Sequence, residues 1–171
     1  MNLKDKVIYV TGASLGIGYE IASELLKQDA KVVITARNKE NLDKAKNTLS
    51  KISNNVQAHA FDISDENELK KSMDNVYNHF GKIDGLVNNA PSIHPGMIKD
   101  MSINQWRTNF KANLEGAFLT TNYVLPKMIE QESGSIVNIS SVAGTKGISF
   151  ISAYAAAKLS LIHISEPTRQ P

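Results

Sequence analysis

A chain of 171 residues, 42% hydrophobic and 21% charged, has the make-up of one globular domain with a real core. A net charge of +2, with no basic block and no acidic tail, leaves no footprint for nucleic acid, so any phosphate must be bound by a local site. The lack of cysteine excludes disulfides, thiolate metal sites and a cysteine nucleophile, and it suits a reducing cytoplasm.

No apolar run is long enough for a membrane span, and the polar start of the chain predicts no signal peptide. Residues 7–10 read as a buried strand. Thr11-Gly12-Ala13-Ser14-Leu15-Gly16-Ile17-Gly18 follows as a glycine turn. A helix then begins, with Ile17, Ile21, Ala22, Leu25 and Leu26 expected on its core face. Strand, glycine turn and helix together aim free helix amides at a phosphate.

Residues 31–35 are a β-branched second strand that exits through Ala36-Arg37-Asn38. Residues 39–52 have helical spacing, and residues 56–61 form a third strand. Asp62-Ile63-Ser64-Asp65 turns into a helix capped by Ser64 or Asp65, with Leu69, Met73, Val76 and Phe80 on its buried face and Gly81 as its stop. Residues 83–87 are a fourth strand ending in Asn88-Asn89-Ala90, and residues 91–96 are a breaker-rich loop. A helix follows Ser102, and a longer one runs from about Phe110 to Ile129. Residues 135–139 form a fifth strand that exits into Ser140-Ser141, and the last helix starts near Ser152. The four histidines (59, 79, 94 and 163) are far apart, show no metal-ligand spacing, and read as surface or loop residues.

Alternating strands and helices, with Val- and Ile-rich strands that lack polar alternation, predict an α/β fold with a doubly wound parallel sheet. Ligands sit at the carboxyl ends of such strands. The glycine turn, Arg37, Asp62, the two asparagines and Ser140-Ser141 all fall there.

Tyr154 and Lys158 lie four apart on the last helix and therefore share a face. An ammonium beside a phenol favours the phenolate, whose ordinary pKa is about 10. That makes Tyr154 a candidate general acid–base. Ser141 leaves the fifth strand with a hydroxyl able to bond a substrate carbonyl. Asn113 is a poor interior helix residue and is expected to make a polar contact.

Thr11-Gly12-x-x-x-Gly16-Ile17-Gly18, Asn88-Asn89-Ala90, Asn113, Ser141, Tyr154 and Lys158 together resemble the short-chain dehydrogenase/reductase family, from about Leu3 to Lys158. The resemblance implies a Rossmann-like domain over residues 1–158 that transfers hydride between a nicotinamide cofactor and a small-molecule ketone or secondary alcohol. It implies Tyr154 as the proton donor, Ser141 as the residue orienting the carbonyl, Lys158 on the nicotinamide ribose, and Asn113 holding a water. It also implies Gly12, Ser14, Gly16, Ile17, Gly18, Asn89 and Ala90 around the cofactor, with Asp62 and Ile63 at its adenine, and a homo-oligomer for the full-length form. Pro91 departs from the family's Asn-Asn-Ala-Gly pattern and removes an amide donor. The end of the second strand carries Arg37 and no carboxylate, which favours NADP over NAD.

The substrate reading leans to 3-oxoacyl-carrier-protein reductases, with a sugar or polyol dehydrogenase close behind. A non-catalytic dinucleotide-binding module and an inactive fragment are the rival readings. From Leu159 to Arg169 the text matches, over eleven codons in frame, the translation of a transposase-type sequencing adapter. Residues 159–171 are therefore expected to be a non-native tail on a C-terminally truncated domain, with the fifth strand left as an exposed sheet edge.

Overall fold

The Val- and Ile-rich runs form five parallel strands: β1 (Val7–Thr11), β2 (Lys31–Ala36), β3 (Val56–Ala60), β4 (Gly85–Asn88) and β5 (Ser135–Asn138). The computed structural model describes residues 2–164. The strand order is β3-β2-β1-β4-β5. Helices α1 (Gly16–Lys27) and α2 (Lys39–Leu49) belong to one face, and α3 (Glu66–Phe80) and α5 (Gly116–Glu130) to the other. Ile8 and Val10 of β1 point into the first layer, and Val7 and Tyr9 into the second. Side chains alternate across a strand, so a strand covered on both faces must be apolar at every position.

Local signals set most helix ends. Asp65 caps α3 by accepting the Glu68 N–H at 3.1 Å, and Gly81 ends it at φ +76°. Asn38 caps α2, and Ser102 with Gln105 forms a capping box on α4 (Ile103–Phe110). Helix α2 stops at Leu49, short of the expected Ile52.

The two helices expected over 102–129 are one continuous helical run. Between α4 and α5 lies a π turn, Lys111–Glu115, in which the Gly116 N–H reaches back five residues to the Lys111 carbonyl. Gly116 faces Ile63 so closely that a Cβ there would stand 2.7 Å from Ile63 Cγ2. Helix α6 (Ser152–His163) packs on this π turn and on a 3-10 turn, Val142–Gly144. Its burial continues through Leu161, at 1% exposure. The rest of the expected tail, residues 165–171, lies outside the described residues.

Among the described residues β5 is one edge of the sheet and β3 the other, with Val137 of β5 46% exposed. Among the same residues no helix is long and apolar enough to cross a membrane. The chain order reverses between β1 and β4, which makes their carboxyl ends the topological switch point of the sheet.

Candidate active site

At the switch point the glycine turn is held by its neighbours. The Thr11 hydroxyl accepts the Asn89 N–H at 2.9 Å and the Ala90 N–H at 3.1 Å. Asn89 returns the bond, its Nδ2 donating to the Thr11 and Gly12 carbonyls at 3.0 Å each. This lock presses the β1 and β4 exits together and dictates two of the glycines. Gly12 sits at φ +65°, and a Cβ there would lie 2.5 Å from Ala90 Cα. A Cβ on Gly18 would lie 2.4 Å from Asn89 Nδ2 and 2.6 Å from the Gly12 carbonyl oxygen.

The first turn of α1 is left open. Its N-cap residue, Leu15, makes no side-chain cap bond, and no acidic residue follows it. Uncapped amides with the positive end of the helix dipole suit an anion. Ile17 does not join the core face as its spacing suggested. It is 63% exposed, on the first turn of α1 beyond the carboxyl end of the central strand β1. The cradle opens into a cavity of about 270 Å³ bordered by Gly12, Ser14, Arg37, Ile63, Ala90 and Pro91. These residues fit a dinucleotide: glycine backbone for a pyrophosphate, free helix amides, and apolar walls.

Arg37 and Asp62 leave adjacent strands, β2 and β3, and meet as an ion pair at 3.9 Å. The Asp62 carboxylate also accepts the Ser64 N–H at 3.0 Å and the Ser64 hydroxyl at 2.8 Å. Both side chains are about half exposed, so their attraction is small and the guanidinium is free to swing.

On the other side of the switch point, the β5 exit is fastened to α6. Lys158 is 3% exposed, and its Nζ donates to the Ile139 carbonyl at 2.7 Å. Ser140 Oγ donates to the Lys158 carbonyl at 3.1 Å, and a Cβ on Gly144 would crowd the Lys158 backbone at 3.0 Å. Lys158 Nζ lies 5.9 Å from the centroid of the Tyr154 ring, which is itself buried. Ser141 caps the 3-10 turn, accepting the Ala143 N–H at 3.1 Å. Asn113 lies in the π turn at 1% exposure. Its Oδ1 accepts the Ser92 N–H at 3.3 Å, and its Nδ2 donates to the carbonyls of Ser92 (2.5 Å) and Asn109 (2.7 Å).

Burial lowers Lys158 from its ordinary 10.5 to about 8. In the unfolded chain the amine binds its proton up to the ordinary value. Between about pH 8 and 10.5 the unfolded state therefore holds more protons, and stability from this group rises with pH. Below pH 8 the buried charge is a standing cost. We expect wild-type stability to gain on Lys158→Met as pH rises from 8 to 10, by at most about 1.4 kcal/mol per pH unit. Urea denaturation of both proteins across that range checks the slope; parallel curves would refute it.

Thr11, Asn88 and Asn89 stand out in the sequence, but the contacts that join polar groups around the sheet carry no local signal. Thr11 and Asn89 meet across 78 residues. Asn88 is 4% exposed; its Nδ2 donates to Thr121 Oγ1 (3.2 Å) and Asn138 Oδ1 (2.9 Å), and its Oδ1 accepts from Thr120 at 2.6 Å. His59 is on β3, where its Nδ1 lies 2.6 Å from Ser72 Oγ. Ser72 in turn bonds the buried Tyr9 hydroxyl at 2.6 Å. His59, expected as a surface or loop residue, is thus half-buried on an edge strand at the end of a polar chain.

A family model described as short chain dehydrogenase matches residues 6–171. A ketoacyl reductase, HetN, from Nostoc sp. is 36% identical over 98% of this chain and 58% of its own length. A 3-oxoacyl-[acyl-carrier-protein] reductase, FabG, from Thermotoga maritima is 34% identical over 97% of this chain and 68% of its own. The crystal structure of a short chain dehydrogenase from Bacillus anthracis superposes with a TM-score of 0.91 at 28% identity, covering 96% of this chain and 69% of that one. This chain thus spans 58% to 69% of the length of these proteins. The match extends over the glycine turn, the Asn89–Thr11 lock and the Lys158 anchor alike, and the chain belongs to the short-chain dehydrogenase family.

Proposed function

We propose that this chain reduces a ketone, or oxidises a secondary alcohol, with NADP(H) as its cofactor. The carrying observation is Lys158. A buried ammonium is costly unless it is paired and hydrogen-bonded, and this one has a backbone carbonyl at the β5 exit as its partner, beside the Tyr154 ring. Bound on the glycine turn, a nicotinamide dinucleotide supplies or accepts the hydride. Gly12, Gly16 and Gly18 admit its pyrophosphate to the α1 amides. Ser14, Ile17, Asn89 and Ala90 border it, and Asp62 and Ile63 flank the adenine side. In reduction, Tyr154 gives its hydroxyl proton to the carbonyl oxygen, and Ser141 orients that oxygen by donating from Oγ. Lys158 keeps a positive charge near the oxygen that loses its proton. Asn113 braces the site through Ser92. Similarity to the Nostoc ketoacyl reductase and the Thermotoga 3-oxoacyl-[acyl-carrier-protein] reductase supports a 3-oxoacyl substrate class.

Arg37 supports NADP(H) because a guanidinium suits a 2′-phosphate, and no carboxylate ends β2 to receive a free ribose hydroxyl. With acetoacetyl-coenzyme A as the carbonyl probe, NADPH should be used about tenfold better than NADH. Arg37→Ala should weaken NADPH by about tenfold, equivalent to about 1.4 kcal/mol, and leave NADH unchanged. A preference for NADH would overturn this reading. The adapter-like text after Lys158 leads us to propose also that residues 159–171 are not native. Resequencing the source locus decides that, and a genomic stretch encoding this tail would refute it.

A further inference from the structure

Residues 91–97 form a segment with strand-like alternation but no strand partner. Ser92 is buried, and His94 and Gly96 are half-buried; Ile93 and Met97 between and after them are 50% and 48% exposed. The alternate residues are each tied down. Ser92 exchanges both backbone groups with the Asn113 side chain, N–H to Oδ1 at 3.3 Å and Nδ2 to carbonyl at 2.5 Å. His94 does the same with Asn109, N–H to Oδ1 at 3.2 Å and Nδ2 to carbonyl at 3.3 Å. Gly96 donates its N–H to the Phe150 carbonyl at 2.7 Å. A primary amide presents one acceptor and two donors, so it can mimic the backbone of a neighbouring strand.

Asn109 and Asn113 are four apart, one turn along the same helical run, and the Nδ2 of Asn113 also donates to the Asn109 carbonyl at 2.7 Å. Asn109 is fully buried. A buried asparagine at a helix position that an apolar residue would fill more cheaply calls for a reason. Its second Nδ2 bond, to Gln105 at 2.9 Å, satisfies the remaining donor. The segment it holds starts at Pro91, which borders the cofactor cavity, and reaches the loop that leads into Tyr154 four residues after Phe150. The strap therefore spans the gap between the cofactor half and the proton donor.

We propose that Asn109 is a positioning residue. Together with Asn113 it holds residues 92–96 as a side-chain-paired strand that fixes the substrate-side wall of the site. The kinetic part of this proposal rests on the reductase reading above, and the structural part does not.

Two variants of the 171-residue chain test it. Asn109→Leu keeps the volume and removes both His94 bonds. Gly96→Pro removes the Phe150 bond where a Cβ would meet only Met101 Cε at 4.0 Å, so it spares the core if Asn109→Leu fails to fold. Amide hydrogen exchange at His94 should quicken by about tenfold or more in Asn109→Leu, with β1 and β2 amides unchanged. Gly96→Pro should do the same at His94 to a smaller degree. With NADPH and acetoacetyl-coenzyme A, both variants should raise KM for the carbonyl by about fivefold or more while the Kd for NADPH stays the same. Unchanged His94 exchange in a folded variant overturns the clamp. Faster exchange with unchanged carbonyl KM overturns the positioning role. Absence of turnover in the parent counts against the reductase reading alone, and His94 exchange then decides the clamp.

Discussion

Tyr154→Phe is expected to lower turnover by about three orders of magnitude while leaving NADPH affinity untouched, the scale of a lost general acid–base. The ring is buried on α6, so phenylalanine keeps its packing and only the hydroxyl goes. Nothing in the cofactor cradle depends on that hydroxyl, because Thr11, Asn89 and the glycines are locked to one another on the far side of the switch point. Steady-state oxidation of NADPH with acetoacetyl-coenzyme A gives the rate, and calorimetric titration of NADPH gives the affinity. Both measurements belong on the 171-residue chain. If turnover survives the substitution, Tyr154 is not the proton donor; if NADPH binds and the unsubstituted chain does not turn over, a non-catalytic dinucleotide-binding module becomes the better account.

Gly12→Val should cost on the order of 4 kcal/mol and abolish cofactor binding. Two penalties act at once. The backbone sits at φ +65°, which a β-branched residue resists. The added Cβ would stand 2.5 Å from Ala90 Cα, a backbone atom held in place by the Thr11 hydroxyl, so it cannot yield without breaking the lock. Such a loss is a large share of the roughly 5–15 kcal/mol that keeps a domain folded. Gly16→Ala, at φ +59° but with nothing within 4 Å of its Cβ, should cost only about 1 kcal/mol. Gly147→Ala, with neither constraint, should be neutral. Thermal melts with and without NADPH order the three variants. Equal stability for Gly12→Val and Gly16→Ala would show that contact with Ala90 is not what demands glycine at position 12.

Much of the fold could be read locally because its causes are local. Val32, Val33 and Ile34 are apolar without alternation since β2 is covered on both faces, and Asp65 and Gly81 bound α3 by bonds or dihedrals within a few residues. Ile17 was misplaced because periodicity counts residues along a helix and does not show where the sheet beneath it ends. The π turn escaped for a related reason. Its i+5 bond, from the Gly116 N–H to the Lys111 carbonyl, lies where Asn113 engages Ser92, 21 residues away in sequence, and nothing in the residues 111–115 themselves marks it.

The strands and most helices, the parallel doubly wound class and the polar residues at strand exits are legible in the sequence alone. Those follow from hydrophobic period, turn residues and side-chain chemistry, each a short-range property. Which of those residues act on each other is set by long-range packing. It paired Arg37 with Asp62 across adjacent strand exits and sank Lys158 onto the Ile139 carbonyl. It also made Thr11 and Asn89 one lock and turned Asn109 from a helix residue into half of a clamp. Each of these contacts joins groups that are distant along the chain. The strand order and the helix packing bring them within hydrogen-bond reach, and a linear pattern holds no record of that.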